Sequence, residues 1–526
     1  MRCSDLSVTA LLMLAAFPRT ALGSETSGGE LVLIEGDIRA LSGEPWMEAF
    51  IPVFRSQDYF LAIGDHCMMP EGMEAEVLAR SPVEPSDFLL VHLRTAAGTG
   101  DLAILGEPVF MRGDIAVVRP GPGCDPFLMP ACVFSARPLR PILDPRGHFD
   151  RVFEPQDGMI DDIVSAVSED SIKAVIQHLE DYGTRLCILP QYDEAAQWVD
   201  DWFGLHWIPC VLQPFTFYGD SMSNVVAEIP GQENPERIYI VCGHLDSIVW
   251  PYNGSAPGAD DNASGAAGVL EAARVLALYD FKYTIRFICF GAEEVGLVGS
   301  DIYAASAYAA GDDIQGVVNL DMVLYAPPGF DTLWVPYDSQ SQALAEFVQD
   351  AVATYVPALD MVIEYDPSAT YSDHASFWDY GYPAVLGIEF DVDNNPYYHQ
   401  ETDLLANYTG YWPFGTNSIR GAIAAIAALA EPIGPSGTGG GSQSGPGSIS
   451  ISPNPGRDSF SILVTSGMPG GSNIAVTDLA GRLVWSASAQ CPGTPVEADL
   501  SGLPAGVYLV RWTQGTASGS SRLVKL

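Results

Sequence analysis

Residues 283–297 read YTIRFICFGAEEVGL. Most of the first eight positions are apolar, rich in aromatic and β-branched side chains, as in a strand buried on both faces. The run breaks at Gly291 and places Glu293 and Glu294 side by side where the strand ends. Two adjacent carboxylates at the end of a core strand are costly unless something offsets their charge.

The surrounding sequence repeats this arrangement. RIYIVCG (237–243) precedes ASGAAGVLEAARVLALYD (263–280), and the opening strand precedes VGLVGSDIYAASAYA (295–309). GVVNLDM (316–322) precedes SQALAEFVQDAVATYV (341–356), and PAVLGIEF (383–390) precedes NSIRGAIAAIAALAE (417–431). Short buried strands alternating with helical patterns predict an α/β fold, a mixed and mostly parallel sheet between helices. Ligands in such sheets bind beyond the carboxyl ends of the strands. Those ends carry the ionisable residues: His244 and Asp246, Asp260 and Asp261 in GADDNASG, Glu293 and Glu294, Asp321, and His399.

Two histidines and several carboxylates without a thiolate suit zinc or another borderline divalent ion. Five such sites along the chain exceed the needs of one zinc. They predict two divalent metal ions bridged by one carboxylate, an arrangement that activates a shared water and clamps a reacting carbonyl. The positive charge of the ions would offset the clustered acids. Asp260 and Asn262 read as helix cap and turn formers and stay outside the ligand set.

The chain has 526 residues, 48% of them hydrophobic, with 24 basic against 66 acidic side chains and a formal charge of −42. That balance excludes nucleic acid and anionic membrane surfaces as partners, because no basic patch could meet the phosphates. Residues 1–23 have a basic start, a short apolar run and small residues at Ala21-Leu22-Gly23, and read as a secretory signal peptide. No later segment approaches the ~20 apolar residues of a transmembrane helix; the nearest, Ile423 to Leu429, reads as a short amphipathic helix end. The expected location is secreted or at the cell surface. Export permits disulfides, and the spacing pairs Cys187 with Cys210 and Cys124 with Cys132. Cys242 and Cys289 lie inside strand patterns and read as buried free thiols.

Residues 24–155 alternate short apolar runs with Gly, Pro and Asp and predict a β-rich N-terminal domain, either a removable pro-segment or a permanent accessory module. Residues 156–431 form the α/β domain. Residues 432–447 include the linker IGPSGTGGGSQSGPG, and 448–526 read as a small β-sandwich with Gly-containing turns such as Leu479-Ala480-Gly481.

GHLDS (243–247), PGADDNASG (257–265), FGAEEVGLVGS (290–300), NLDM (319–322) and NPYYHQETD (395–403) stand in an order and spacing that resembles the exported di-zinc aminopeptidases of the bacterial leucyl aminopeptidase type. The resemblance covers about residues 156–431. It implies that His244, Asp261 and Asp321 hold one zinc and that Asp261, Glu294 and His399 hold the other, with Asp261 bridging. It implies Glu293 as the general base, and Asp246 as a hydrogen-bond partner for the second ring nitrogen of His244. A secreted aminopeptidase removing hydrophobic N-terminal residues from peptide or protein substrates follows. Met322, Leu386 and Ile388 flank the site and suit an apolar side chain, or plain core packing; His374 in YSDHASFWDYGYP (371–383) stands near the site in support. The chain departs from the type member at DPSATYSDH (366–374), which lacks the family's cysteine-bridged loop and leaves the preferred residue open. SISPNP (450–455), VTDLAGRLVW (476–485) and LPAGVYLVR (503–511) resemble the sorting domains of the type IX secretion pathway, which implies a secretion machinery as partner; an immunoglobulin-like spacer is the other reading. The protein is expected to be a monomer. Alternative functions are a carboxypeptidase or dipeptidase of the same fold, a glutaminyl cyclase, and a non-catalytic surface binding protein. The first needs a basic residue for the substrate's carboxylate. A complete second metal site argues against the cyclase, and an intact Glu293 against the binding protein.

Overall fold

The computed structural model describes residues 29–525 except 37–44, 71–72, 74, 95–100, 123, 126, 128, 130–132, 144–148, 157, 207, 251–253, 436–447, 454–455, 466–471, 478–482, 490–493, 505 and 515–516. The expected signal peptide, Cys132, the turn at Leu479-Ala480-Gly481 and most of the expected linker lie outside the described residues.

The strand of the opening stretch, Tyr283–Phe290, is central in an eight-stranded mixed sheet. Numbered within this sheet, the strands are β1 (Cys210–Phe217), β2 (Asp220–Ile229), β3 (Asn234–His244), β4 (Tyr283–Phe290), β5 (Asp313–Leu320), β6 (Thr332–Tyr337), β7 (Asp360–Tyr365) and β8 (Ala384–Glu389). Their order is β7-β6-β8-β5-β3-β4-β2-β1. The centre, β8-β5-β3-β4, is parallel, whereas β2 runs antiparallel to β4, β1 runs antiparallel to β2, and β6 meets β8 antiparallel. The expected α/β architecture is what the chain forms.

Alternation along the central strands sends side chains into two cores. Tyr239, Val241, Ile285, Phe287 and Cys289 join the larger core, while Ile238, Ile240, Cys242, Ile288 and Phe290 join the core on the opposite face. Helices α1 (Ala263–Leu276) and α2 (Trp412–Ala430) cover the first face. α2 is buried almost all round, so the expectation of a short amphipathic end at Ile423–Leu429 is corrected: its alanines let it pack as a core helix. No helix among the described residues is long and apolar enough to cross a membrane.

The close approach of α1 depends on its glycines. A Cβ at Gly265 would stand 2.2 Å from the Leu320 carbonyl oxygen, and one at Gly268 would meet the Leu320 side chain at 2.6 Å. The helix that begins beside Asp261 is thereby pressed onto the strand end that carries Asp321.

Ahead of this domain lie two antiparallel four-stranded sheets. Their strands in spatial order are Phe50–Arg55, Tyr59–Gly64, Gly29–Glu35 and Ala75–Val83, then Gly106–Arg112, Ile115–Pro120, Leu89–Leu93 and Val133–Pro138. After it, a three-stranded and a four-stranded sheet enclose Phe460, Ile462, Val476, Val510 and Trp512. Cys187 and Cys210 are both free thiols, which corrects the expected bridge: spacing along the chain fixes neither the separation nor the direction of two Cβ atoms. Cys124, Cys242 and Cys289 are free as well.

Candidate metal centre

The expected ligands meet at the carboxyl edge of the parallel strands. His244 is the last residue of β3, level with Phe290 on β4. Asp321 follows β5 directly, and its amide donates to the Gly387 carbonyl on β8 at 3.1 Å. Glu293 and Glu294 occupy the turn after β4, closed by the Gly296 and Leu297 amides on the Glu293 carbonyl, both at 2.9 Å. Six non-glycine residues with positive φ occur among the described residues, and four of them, Ala292, Leu297, Met322 and His399, belong to these turns. Such backbone persists only where its surroundings over-determine it.

Three buried carboxylates supply that determination, each bonded to two consecutive backbone amides. Asp246 accepts from Glu293 N and Glu294 N at 3.1 and 3.3 Å. Asp403 accepts from Asp260 N and Asp261 N at 2.9 and 3.1 Å, and from the Tyr408 hydroxyl at 2.7 Å. Asp260 accepts from Leu324 N and Tyr325 N at 2.9 and 3.2 Å. Arg185, fully buried, adds a cation to the same region. It donates to the carbonyls of Leu245, Leu179, Pro257 and Gly258 at 2.7 to 3.0 Å, tying the segment after His244 to the loop before Asp261. Asn262 caps α1 as expected, accepting from Gly265 N at 2.8 Å.

The side chains converge on Asp261, whose two oxygens face different histidines. Oδ1 lies 3.2 Å from His244 Nε2, and Oδ2 lies 3.1 Å from His399 Nε2. His244 Nε2 is also 3.4 Å from Asp321 Oδ1 and 3.8 Å from Glu293 Oε2, and His399 Nε2 is 2.8 Å from Glu294 Oε2. Donor atoms of His244, Asp261 and Glu294 lie within 4.8 Å of one another, as do those of His244, Glu293 and Asp321. Asp261 Oδ2, Glu294 Oε1 and Asp321 Oδ1 are buried without a hydrogen-bond donor. Buried carboxylate oxygens left bare cost free energy. Imidazole nitrogens and bare carboxylate oxygens at this separation fit divalent metal ions of the zinc type. Burial, reinforced for Glu294 by Asp261, pushes the carboxyls of Glu293 and Glu294 well above their ordinary range. Burial works the same way on Asp261, but the adjacent His244 and His399 outweigh it and hold that carboxyl below its usual value.

Two sequence-based roles change. His244 Nδ1 faces the main-chain carbonyl of Asp246 at 3.1 Å and its carboxylate only at 3.7 Å, because that carboxylate is taken up by the Glu293–Glu294 amides. His374 is buried with Nε2 on the Ala369 carbonyl at 2.7 Å; it braces the loop and does not line the cavity. Met322 and Ile388 do line it, and Leu386 packs behind them. Sequence reasoning passed over Asp403, although it closes the quoted NPYYHQETD, and Ser372, whose hydroxyl donates to Asp321 Oδ2 at 2.6 Å. It also gave no sign that Phe134 and Arg137, from the N-terminal sheets, line the same cavity.

Histidines and carboxylates gathered at this edge of such a sheet fit a metallopeptidase. Residues 224–418 match the model of peptidase family M28, and residues 450–526 match that of the secretion system C-terminal sorting domain. A probable zinc metalloprotease of Leptosphaeria maculans is 29% identical over 296 residues, 46% of this chain and 67% of that protein. Leucine aminopeptidase 1 of Arthroderma otae is 33% identical over 198 residues, 35% of this chain and 52% of that protein. The matches thus span about two thirds of the first relative and half of the second. The crystal structure of the LapA aminopeptidase of Legionella pneumophila shares 18% identity at a TM-score of 0.49, covering 77% of this chain and 99% of that one.

Proposed function

We propose that this protein is an exported metallo-aminopeptidase that removes hydrophobic N-terminal residues from peptides and uses two zinc ions. One observation carries the reading: Asp261 turns one oxygen to His244 at 3.2 Å and the other to His399 at 3.1 Å, as a bridging carboxylate must. His244, Asp261 and Asp321 would hold one ion, and Asp261, Glu294 and His399 the other. The assignment within the glutamate pair is supported by Glu294 reaching His399 at 2.8 Å, while Glu293 stands farther out, 3.8 Å from His244. When bound, such ions supply Lewis-acid polarisation of the scissile carbonyl and lower the pKa of water.

Glu293 then serves as general base. Its carboxylate takes a proton from the attacking water and returns it to the leaving amine nitrogen. Met322 and Ile388 offer an apolar wall to the side chain of the residue removed. A carboxypeptidase would need a cation beside the cavity. Among the described residues Arg137 is the one Lys or Arg of the lining, and Asp379 already holds that guanidinium at 2.5 Å. In this reading residues 1–23 direct export, 24–155 form the N-terminal domain, 156–431 the monomeric peptidase, 432–447 the linker and 448–526 the domain a secretion machinery recognises, with the protein delivered outside the cell or to its surface.

Leucyl-p-nitroanilide, assayed beside its N-acetylated form with and without a chelator, tests the proposal. Cleavage of the free amine only, abolished by the chelator and restored by Zn²⁺, is expected. Equal cleavage of the blocked compound would refute an aminopeptidase.

A further inference from the structure

The cavity at the metal centre measures about 30 Å³. That is space for about two or three waters at ~10–15 Å³ each, against roughly 300–1,000 Å³ for a ligand pocket. The strand Val133–Pro138, at the edge of an N-terminal sheet, fills the difference. Residues 133–137 line the cavity together with His244, Glu293 and His399. The strand presses on the turn that carries the two glutamates: a Cβ at Gly296 would meet the Ala136 carbonyl oxygen at 3.2 Å and Arg137 Cα at 3.4 Å.

Phe134 enters the apolar group formed by Met322, Leu386, Ile388 and Val392. Its ring lies 4.9 Å from that of Tyr371, edge-on, and 5.1 Å from that of Tyr398, stacked. Tyr398 in turn stacks on His399 at 3.9 Å and donates its hydroxyl to the Phe134 carbonyl at 3.3 Å. An aromatic side chain in an apolar pocket, with its own carbonyl bound beside the metal-centre histidine, has the features of an occupying residue rather than a neighbour. The strand is fastened on both sides. Arg137 and Asp379 form a buried ion pair at 2.5 Å, Arg140 meets Asp301 at 3.1 Å, and Leu143 N donates to the Asp379 carbonyl at 2.7 Å.

We propose that Val133–Pro138 lies where a peptide substrate lies, with Phe134 in the pocket for the side chain of the residue removed. The chain is therefore latent while the N-terminal sheets stay docked, and the pocket takes large aromatic or apolar N-terminal residues. The inference rests on the aminopeptidase reading above. An intramolecular occupant competes with substrate, so it raises KM and leaves kcat at saturation unchanged.

The test compares the full chain with Phe134→Ala and with Arg140→Ala, which loosens the strand without touching the pocket. Zinc content and melting temperature are measured on each to establish folding, and kcat and KM are read with phenylalanyl- and alanyl-p-nitroanilide. At least a tenfold rise in kcat/KM through KM is expected for Phe134→Ala, a smaller rise for Arg140→Ala, and preference for the phenylalanyl substrate. Activity in all three chains with kcat/KM within twofold would overturn the occupancy alone, as would preference for the alanyl substrate. Zinc-loaded, folded chains inactive on every free-amine anilide would overturn the aminopeptidase reading and this inference with it.

Discussion

Replacing Glu293 by glutamine separates proton transfer from metal binding at this site. The substitution keeps the side-chain volume and leaves the main chain fixed, because the bond that anchors the residue runs from its amide to Asp246 at 3.1 Å. Only the ability to take a proton is lost. A positioned general base contributes roughly 10²–10⁴ in rate, or about 3–5 kcal/mol of barrier. Glu293 stands 3.8 Å from the nearest histidine nitrogen, so its removal strips little from either ligand set. Glu293→Gln should therefore retain about two zinc ions per chain by plasma mass spectrometry while kcat on leucyl-p-nitroanilide falls by ~10²–10⁴. Glu294→Gln, which removes the oxygen 2.8 Å from His399, should instead lose metal first. Metal lost from Glu293→Gln and kept by Glu294→Gln would show that the two roles are exchanged. A fall of less than tenfold in kcat with full metal content would refute Glu293 as the base.

Arg185→Met strands four carbonyls that the guanidinium satisfies, each costing about 1–3 kcal/mol when buried unpaired, so a loss of at least about 4 kcal/mol is expected from urea unfolding. An unchanged urea midpoint would remove Arg185 from the framework. Burial pushes His92 and His374 down to about 3, so below the ordinary value of 6.5 the unfolded chain binds protons that the folded chain does not. Stability is then full above pH 6.5 and falls toward pH 3, by about 1.4 kcal/mol per pH unit for each histidine. His92→Gln should flatten the fall between pH 7 and pH 5.5, and equal slopes in variant and parent would refute the assignment. Deleting residues 448–526 should abolish delivery to the surface or medium, whereas unchanged release would rule out sorting by that domain.

The central strands were legible because their burial on both faces writes itself as continuous apolar runs, and the strand ends were legible because ionisable residues interrupt those runs. The edge strand β7 and its neighbour β6 escaped notice: Asp360–Tyr365 alternates exposed and half-buried residues and packs mainly against one neighbour. The expected ligands also came together as read. What could not be read was long-range. Asp403 reaches back 142 residues to Asp261, and Arg137 crosses 242 residues to Asp379. Nothing local to either partner records such a contact. The expected Cys187–Cys210 bridge failed for the converse reason, since spacing in sequence carries no direction in space.

The paired amides held by Asp246, Asp403 and Asp260 fix the backbone on which the centre is built. The turns that carry Asp261 and the Glu293–Glu294 pair, and the segment after Asp321, are each fastened by bonds from main-chain amides to these carboxylates. The main chain at these positions is thus aimed by the protein's own groups, so the side chains at the centre can be exchanged one at a time while the turns that carry them stay in place.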